Sequence, residues 1–226
     1  MEVIVFAEGP TEEQFIKRVV APALRPLQVF LKPQMLKTSQ EARGGAINFD
    51  RLKFNARNTL RQQPAAVLTT LLDLYGLDTS FPGFEEAKSK PDLTSRVTHL
   101  NAALHQELVA YVKCRPERFI PHIQPHEFEG LLFSDTEALS QTEPGWQARE
   151  AKLAAVRAEF ETPEHINNSI EKKPSRRLEQ LLQPGYKKTR HGPLAAERVT
   201  LAAMERECLH FRRWMEALRN LGGHPQ

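Results

Sequence analysis

The run Ala65-Ala66-Val67-Leu68-Thr69-Thr70-Leu71-Leu72 carries no charge and stops at Asp73. A half-exposed strand alternates apolar with polar residues, and a helix needs a longer segment, so this run is predicted as a strand buried on both faces. Such strands occur almost only in parallel sheets flanked by helices on each side. One segment therefore points the whole chain towards an α/β architecture.

The neighbouring sequence agrees. Glu2-Val3-Ile4-Val5-Phe6-Ala7 is a second short apolar run, ended by the turn residues Glu8-Gly9-Pro10-Thr11. Thr11 followed by Glu12, Glu13 and Gln14 is an N-cap pattern, and Phe15, Ile16, Val19 and Val20 follow at helical spacing. A further strand is expected over 28–31 and a helix over 50–62. The segment after Asp73, rich in Gly, Pro and acids, reads as a loop, and 93–113 restores helical periodicity through Val97, Leu100, Leu104, Leu108 and Val112. Residues 118–123 form a weaker strand whose Pro121 marks an edge or a bulge, and 126–133 reads as a short buried helix. Beyond Thr136 only helical patterns remain, over 146–160, 175–182, 194–207 and 211–221. The expected fold is an α/β core over 1–135, with a mostly parallel sheet and helices on both faces. A helical, partly basic region over 136–226 packs on it.

At 226 residues and 40% hydrophobic content the chain is long enough for one domain with a sizeable core. No apolar run approaches the roughly 18 residues of a membrane span, and residues 1–7 enter a strand without a leader pattern, so a cytoplasmic location is expected. Cys114 and Cys208 match neither a zinc spacing nor a disulfide framework and read as reduced packing residues. The formal net charge of +3 conceals polarity: 165–191 holds seven basic and two acidic residues, so the remaining chain is acidic. Lys172, Lys173, Arg176, Arg177, Lys187, Lys188 and Arg190 are candidates for contacts with nucleic-acid phosphates, and Tyr186 for stacking on a base. A charge run is more often a solvated face. Phe211, Trp214, Met215 and Leu218, at helical spacing, read as core, and Arg43-Gly44-Gly45 as a turn without chemistry.

Ligands of parallel sheets collect at the carboxyl ends of the strands. Glu8 ends the first strand, Asp73 ends the strongest, and Glu127 and Glu129 follow the last. Hard oxygen donors from separate strand ends suit Mg²⁺ or Mn²⁺, ions that assist phosphodiester displacement. Taken singly, each acid is more often a helix cap or a solvated residue. The Gly9-Pro10-Thr11 turn is not a P-loop, and His126-Glu127-Phe128-Glu129 is not the H-E-x-x-H of a zinc hydrolase.

Read together, FAEGPTEEQF, LLDLYGL and HEFEGLLF resemble TOPRIM-like bacterial proteins of unknown function that accompany ATPases, relatives of the OLD and RloB-type putative nucleases of phage defence. The tail strings KKPSRRLEQLL, PGYKK and CLHFRRWMEAL are similar to the C-terminal half of that subfamily. The resemblance implies a TOPRIM-like fold and a Mg²⁺- or Mn²⁺-dependent nuclease of DNA or RNA, working with a partner ATPase in anti-phage defence. Glu8 would be acid, base or metal ligand, with Asp73 and Glu129 as ligands. The second aspartate of the family's D-x-D falls at Tyr75, a departure that leaves Asp78, Glu12 or Glu127 to assist. It also keeps open a second reading, a catalytically degenerate binding or regulatory subunit of an ATPase complex.

Overall fold

The computed structural model describes residues 1–36, 47–167 and 170–223, so the Arg43-Gly44-Gly45 turn lies outside the described residues. The charge-free run becomes the central strand. β1 (Glu2–Ala7), β2 (Phe30–Met35), β3 (Val67–Asp73) and the two-residue β4 (Phe119–Ile120) lie in the order β2-β1-β3-β4, and β5 (Ile123–Gln124) also pairs with β3. All pairings are parallel.

Successive side chains of a strand point to opposite faces, which divides the interior in two. Val3, Val5, Ala7, Val67 and Leu71 belong to one apolar cluster, and Ile4, Phe6, Leu68 and Leu72 to the other. The first face is covered by α1 (Pro10–Phe15), its π-helical continuation Ile16–Val20, and α2 (Ala21–Leu24). The second is covered by α3 (Phe49–Gln62), α4 (Phe84–Lys88) and α5 (Leu93–Val112). After the one-and-a-half-turn α6 (Thr136–Ser140) come α7 (Glu150–Ala158), α8 (Pro174–Leu181), α9 (Lys188–Val199), α10 (Leu201–Glu207) and α11 (Leu209–Arg219). Their apolar residues join the first cluster, Phe211, Trp214, Met215 and Leu218 among them. The tail is thus a wall of the same core that β1 and β3 line. Trp214 fixes it there, its indole N–H donating to Thr69 Oγ1 of β3 at 2.8 Å.

The departures from the sequence expectation have local causes. β2 begins at Phe30, because Gln28 takes a left-handed φ of 58° and Val29 N–H still bonds to Leu24 at the end of the preceding helix. Its Phe30 N–H goes to Met1 and Leu36 N–H, just beyond the strand, to Ala7, so the even residues face β1 and Pro33, which has no N–H, points to the open edge. The weak strand divides at Pro121-His122, where Thr70 Oγ1 fills the gap, donating to His122 O at 3.0 Å and accepting from His122 N–H at 2.8 Å. The loop after Asp73 contains a 3₁₀ turn, Leu74–Gly76, and α4. Residues 126–133 contain a 3₁₀ segment, Phe128–Ser134. The helix expected at 194 starts at Lys188, and Thr200 (φ 70°) separates α9 from α10. Both cysteines are free. Among the described residues no helix is long and apolar enough to cross a membrane.

Candidate metal centre

The chain leaves β1 towards β2 on one side and returns over it to β3 on the other. Between the carboxyl ends of β1 and β3 the connections diverge, and a crevice opens at such a switch point. Glu8 and Asp73 stand on its two sides. Glu8 Oε2 accepts the backbone N–H of Asp73 at 3.2 Å, and the glycine at position 76 leaves room for it, since a Cβ there would overlap the Glu8 carboxylate.

Asp73 organises the opposite wall. Its Oδ1 accepts the N–H of Phe128 at 2.9 Å, pinning the start of the 3₁₀ segment and bringing Glu127 and Glu129 to the same edge. Asp73, Glu127 and Glu129 are all buried, and each offers a carboxylate oxygen within 4.8 Å of the others. Glu12, in the first turn of α1, is only 3% exposed, and its charge acts on Glu8, Asp73 and Glu129.

Three groups from the tail close the site. Lys188 Nζ lies 3.2 Å from Glu129 Oε2 and 3.9 Å from Asp73 Oδ2. Lys173 Nζ donates to Glu127 at 2.7 Å while the Ser175 N–H holds the other oxygen at 3.0 Å. The Tyr186 hydroxyl donates to Glu129 Oε1 at 3.3 Å. Helix α9 lies this close because its residue 192 is glycine: a Cβ would come within 2.9 Å of Thr11 Cγ2 and 3.1 Å of the Tyr186 hydroxyl.

Burial and crowding set the protonation of these acids. Burial, reinforced by the charge of Glu8, holds Asp73 well above the usual carboxylate range, although Lys188 opposes it. Burial and then Glu12 raise Glu8. Burial pushes Glu129 up to about 7, again against Lys188. Glu127 goes the other way: burial acts to raise it, but Lys173 and the Ser175 N–H outweigh that and lower it. Lys188 is itself raised, because Asp73, Glu129 and the other acids outweigh the burial that opposes its charge.

The donor set fits a hard divalent cation. All its atoms are carboxylate oxygens, and Glu129 Oε2 is buried without a hydrogen-bond donor, Lys188 meeting it as an ion pair only. Asp73, Glu127 and Glu129 would hold the ion, with Glu8 and Glu12 beside them.

The structure does not bring every candidate together. Asp78 is turned into its own loop, accepting the Ser80 N–H at 2.7 Å and the Ser80 hydroxyl. Three of the seven cations of the basic segment are engaged inside the molecule. Besides Lys173 and Lys188, Arg177 is buried, donating to Lys172 O at 2.7 Å and lying over the Phe160 ring. Arg176 pairs with Glu179 and Arg190 with Glu143. Lys172 and Lys187 are exposed. Tyr186 corrects the stacking expectation: its ring is buried beside Trp146 and His191 and offers no open face to a base. The sequence reading missed Gly76 and Gly192 as makers of space, and missed that Lys188 and Tyr186 reach the strand-end acids. Only the clustering of charge signalled the latter.

A family profile described as "Domain of unknown function (DUF4276)" matches residues 7–219. No curated protein matches the chain. Among solved structures, the C-terminal region of the Xanthomonas campestris pv. campestris OLD protein is similar over 97% of this chain and 94% of that one, at 12% identity and a TM-score of 0.43, a likeness too slight to argue from.

Proposed function

The chain belongs to the DUF4276 family, and from the geometry of its own site we propose that it is a Mg²⁺- or Mn²⁺-dependent nuclease. The observation that carries this is the convergence of buried Asp73, Glu127 and Glu129 at the carboxyl edge of a parallel sheet. The bound ion would neutralise charge developing on phosphoryl oxygens. The chain's own residues supply the rest. Glu8, its carboxyl raised by burial and by the charge of Glu12, serves as general acid or base at its carboxylate. Lys188, partly exposed above the acids, faces an incoming phosphate, and Lys172 and Lys187 add sequence-independent attraction. Following the resemblance carried by the sequence strings, we place this nuclease in the cytoplasm beside a partner ATPase in anti-phage defence, with 1–135 as a TOPRIM-like core and 136–226 as its helical extension.

Incubation with plasmid, single-stranded DNA and RNA in Mn²⁺, with and without the partner ATPase, tests the reading. Cleavage is expected, and Glu8→Gln or Asp73→Asn reduces it at least about a hundredfold with the circular dichroism spectrum unchanged. Undiminished cleavage in both variants overturns it.

Two observations favour the second reading, a degenerate binding subunit: Tyr75 stands where a carboxylate is expected, and the Lys188 ammonium already sits within ion-pair distance of Asp73 and Glu129. Calorimetric titration separates the two, since absence of Mg²⁺ and Mn²⁺ binding at millimolar concentration supports the subunit.

A further inference from the structure

Tyr75 follows Asp73 by two residues and is 37% exposed, an open aromatic ring beside a buried acidic cluster. Its backbone N–H donates to His126 O at 3.2 Å, which ties the turn after β3 to the segment bearing Glu127. His126 holds a left-handed φ of 58°, a conformation unfavourable for a non-glycine residue that persists where its surroundings enforce it. That backbone sets the imidazole against Tyr75, ring centroids 5.6 Å apart at an interplanar angle of 35°. Asn167 braces the imidazole, its amide donating to His126 Nδ1 at 3.3 Å. The Glu127 carboxylate, Lys173 ion-paired to it at 2.7 Å, and Arg96 lie close enough to act electrostatically on the phenol.

A partly exposed ring, an imidazole packed against it and cations nearby are the parts from which sites for single-stranded nucleic acid are built, a stacking surface beside basic side chains. Resting on the nuclease reading, we propose that Tyr75, backed by His126, is a platform on which one unpaired base of the substrate stacks next to the scissile phosphate, so that the enzyme acts on single strands. A duplex keeps its base faces covered and cannot use the platform. The departure at position 75 then exchanges a ligand for a substrate contact.

The test uses the full chain in EDTA with 20-mers of DNA and RNA carrying 2-aminopurine, a base whose fluorescence falls on stacking. The wild type is expected to bind the single strands and quench them, and to bind the duplex at least about tenfold more weakly. Tyr75→Ala should weaken single-strand binding about tenfold and abolish the quenching, while Tyr75→Phe and Tyr75→Trp restore both. A strand of abasic tetrahydrofuran units should bind the wild type and Tyr75→Ala equally, which a structural role for Tyr75 would not produce. No binding by the wild type, or equal binding of base-bearing strands by wild type and Tyr75→Ala, overturns the proposal. Tyr75-dependent quenching without metal-dependent cleavage leaves the platform standing and removes the nuclease. Asp73-dependent cleavage that ignores Tyr75 does the reverse.

Discussion

At the scale of single residues the site is defined by what is small as much as by what is charged. Glu8 can turn towards Asp73 because position 76 has no side chain. Gly76 does not occupy the left-handed region, so an alanine suits its backbone, and the nearest atoms its methyl group would meet are those of the Glu8 carboxylate. Gly76→Ala is therefore expected to keep the melting temperature within about 3 °C while lowering Mn²⁺ affinity and cleavage at least about tenfold. Calorimetric titration beside a thermal melt measures both, and an unaltered Mn²⁺ affinity would show that the position of Glu8 is immaterial. The same scale explains Asp78, whose Asp-x-Ser sequence is a local turn signal. Its carboxylate is satisfied by Ser80 two residues on and is not offered to the crevice.

At the scale of elements, α11 shows how a buried acid serves structure. Glu164 accepts the N–H groups of His210 and Phe211, each at 3.0 Å, at the start of that helix. Its removal leaves two buried donors unpaired, so Glu164→Ala is expected to lower stability by about 2 kcal/mol in urea denaturation. Burial nevertheless pushes the Glu164 carboxyl up to about 6 in spite of those donors. Because the folded value exceeds the unfolded one, this residue's proton-linked stability is full below about pH 4.5 and is lost as pH rises through about 6. Glu164→Gln should flatten the wild-type slope of stability in that window, and an unchanged slope would remove the assignment.

What could be read in advance divides along the same line. β1, β3, α3 and α5 are encoded locally, by apolar runs or unbroken helical spacing, and the structure places them within two residues of expectation. The early start of α9 was not legible, because Lys187-Lys188-Thr189-Arg190 carries no apolar spacing. Its helix is held by close packing of Gly192 against Thr11 in α1. The strand-end acids could be aligned because a parallel sheet puts strand ends on one edge. Their pairing with Lys188 and Lys173 could not, because it depends on how the tail folds back.

For the whole molecule the decisive fact is that the two halves of the chain build one interior. Phe211, Trp214, Met215 and Leu218 are at most 3% exposed against the face that carries β1 and β3. Burying such side chains contributes about 2 kcal/mol each, a sum comparable to the 5–15 kcal/mol by which a domain of this kind is stable. A chain ending before Leu209 is therefore expected to lose its cooperative urea transition and its near-ultraviolet circular dichroism. Retention of both would show that the core stands without its last helix.

The closing of the crevice by Lys173, Tyr186 and Lys188 also has a consequence in time. Synthesis delivers Glu8 first and these three long after it, and α11, which ties itself to β3 through Trp214 and Thr69, emerges later still. Pairings this distant along the chain form late in folding. A partly made chain thus carries the strand-end acids without the counter-charges of Lys173 and Lys188. The acids are thus the first part of the site to be made and among the last to be fixed in place.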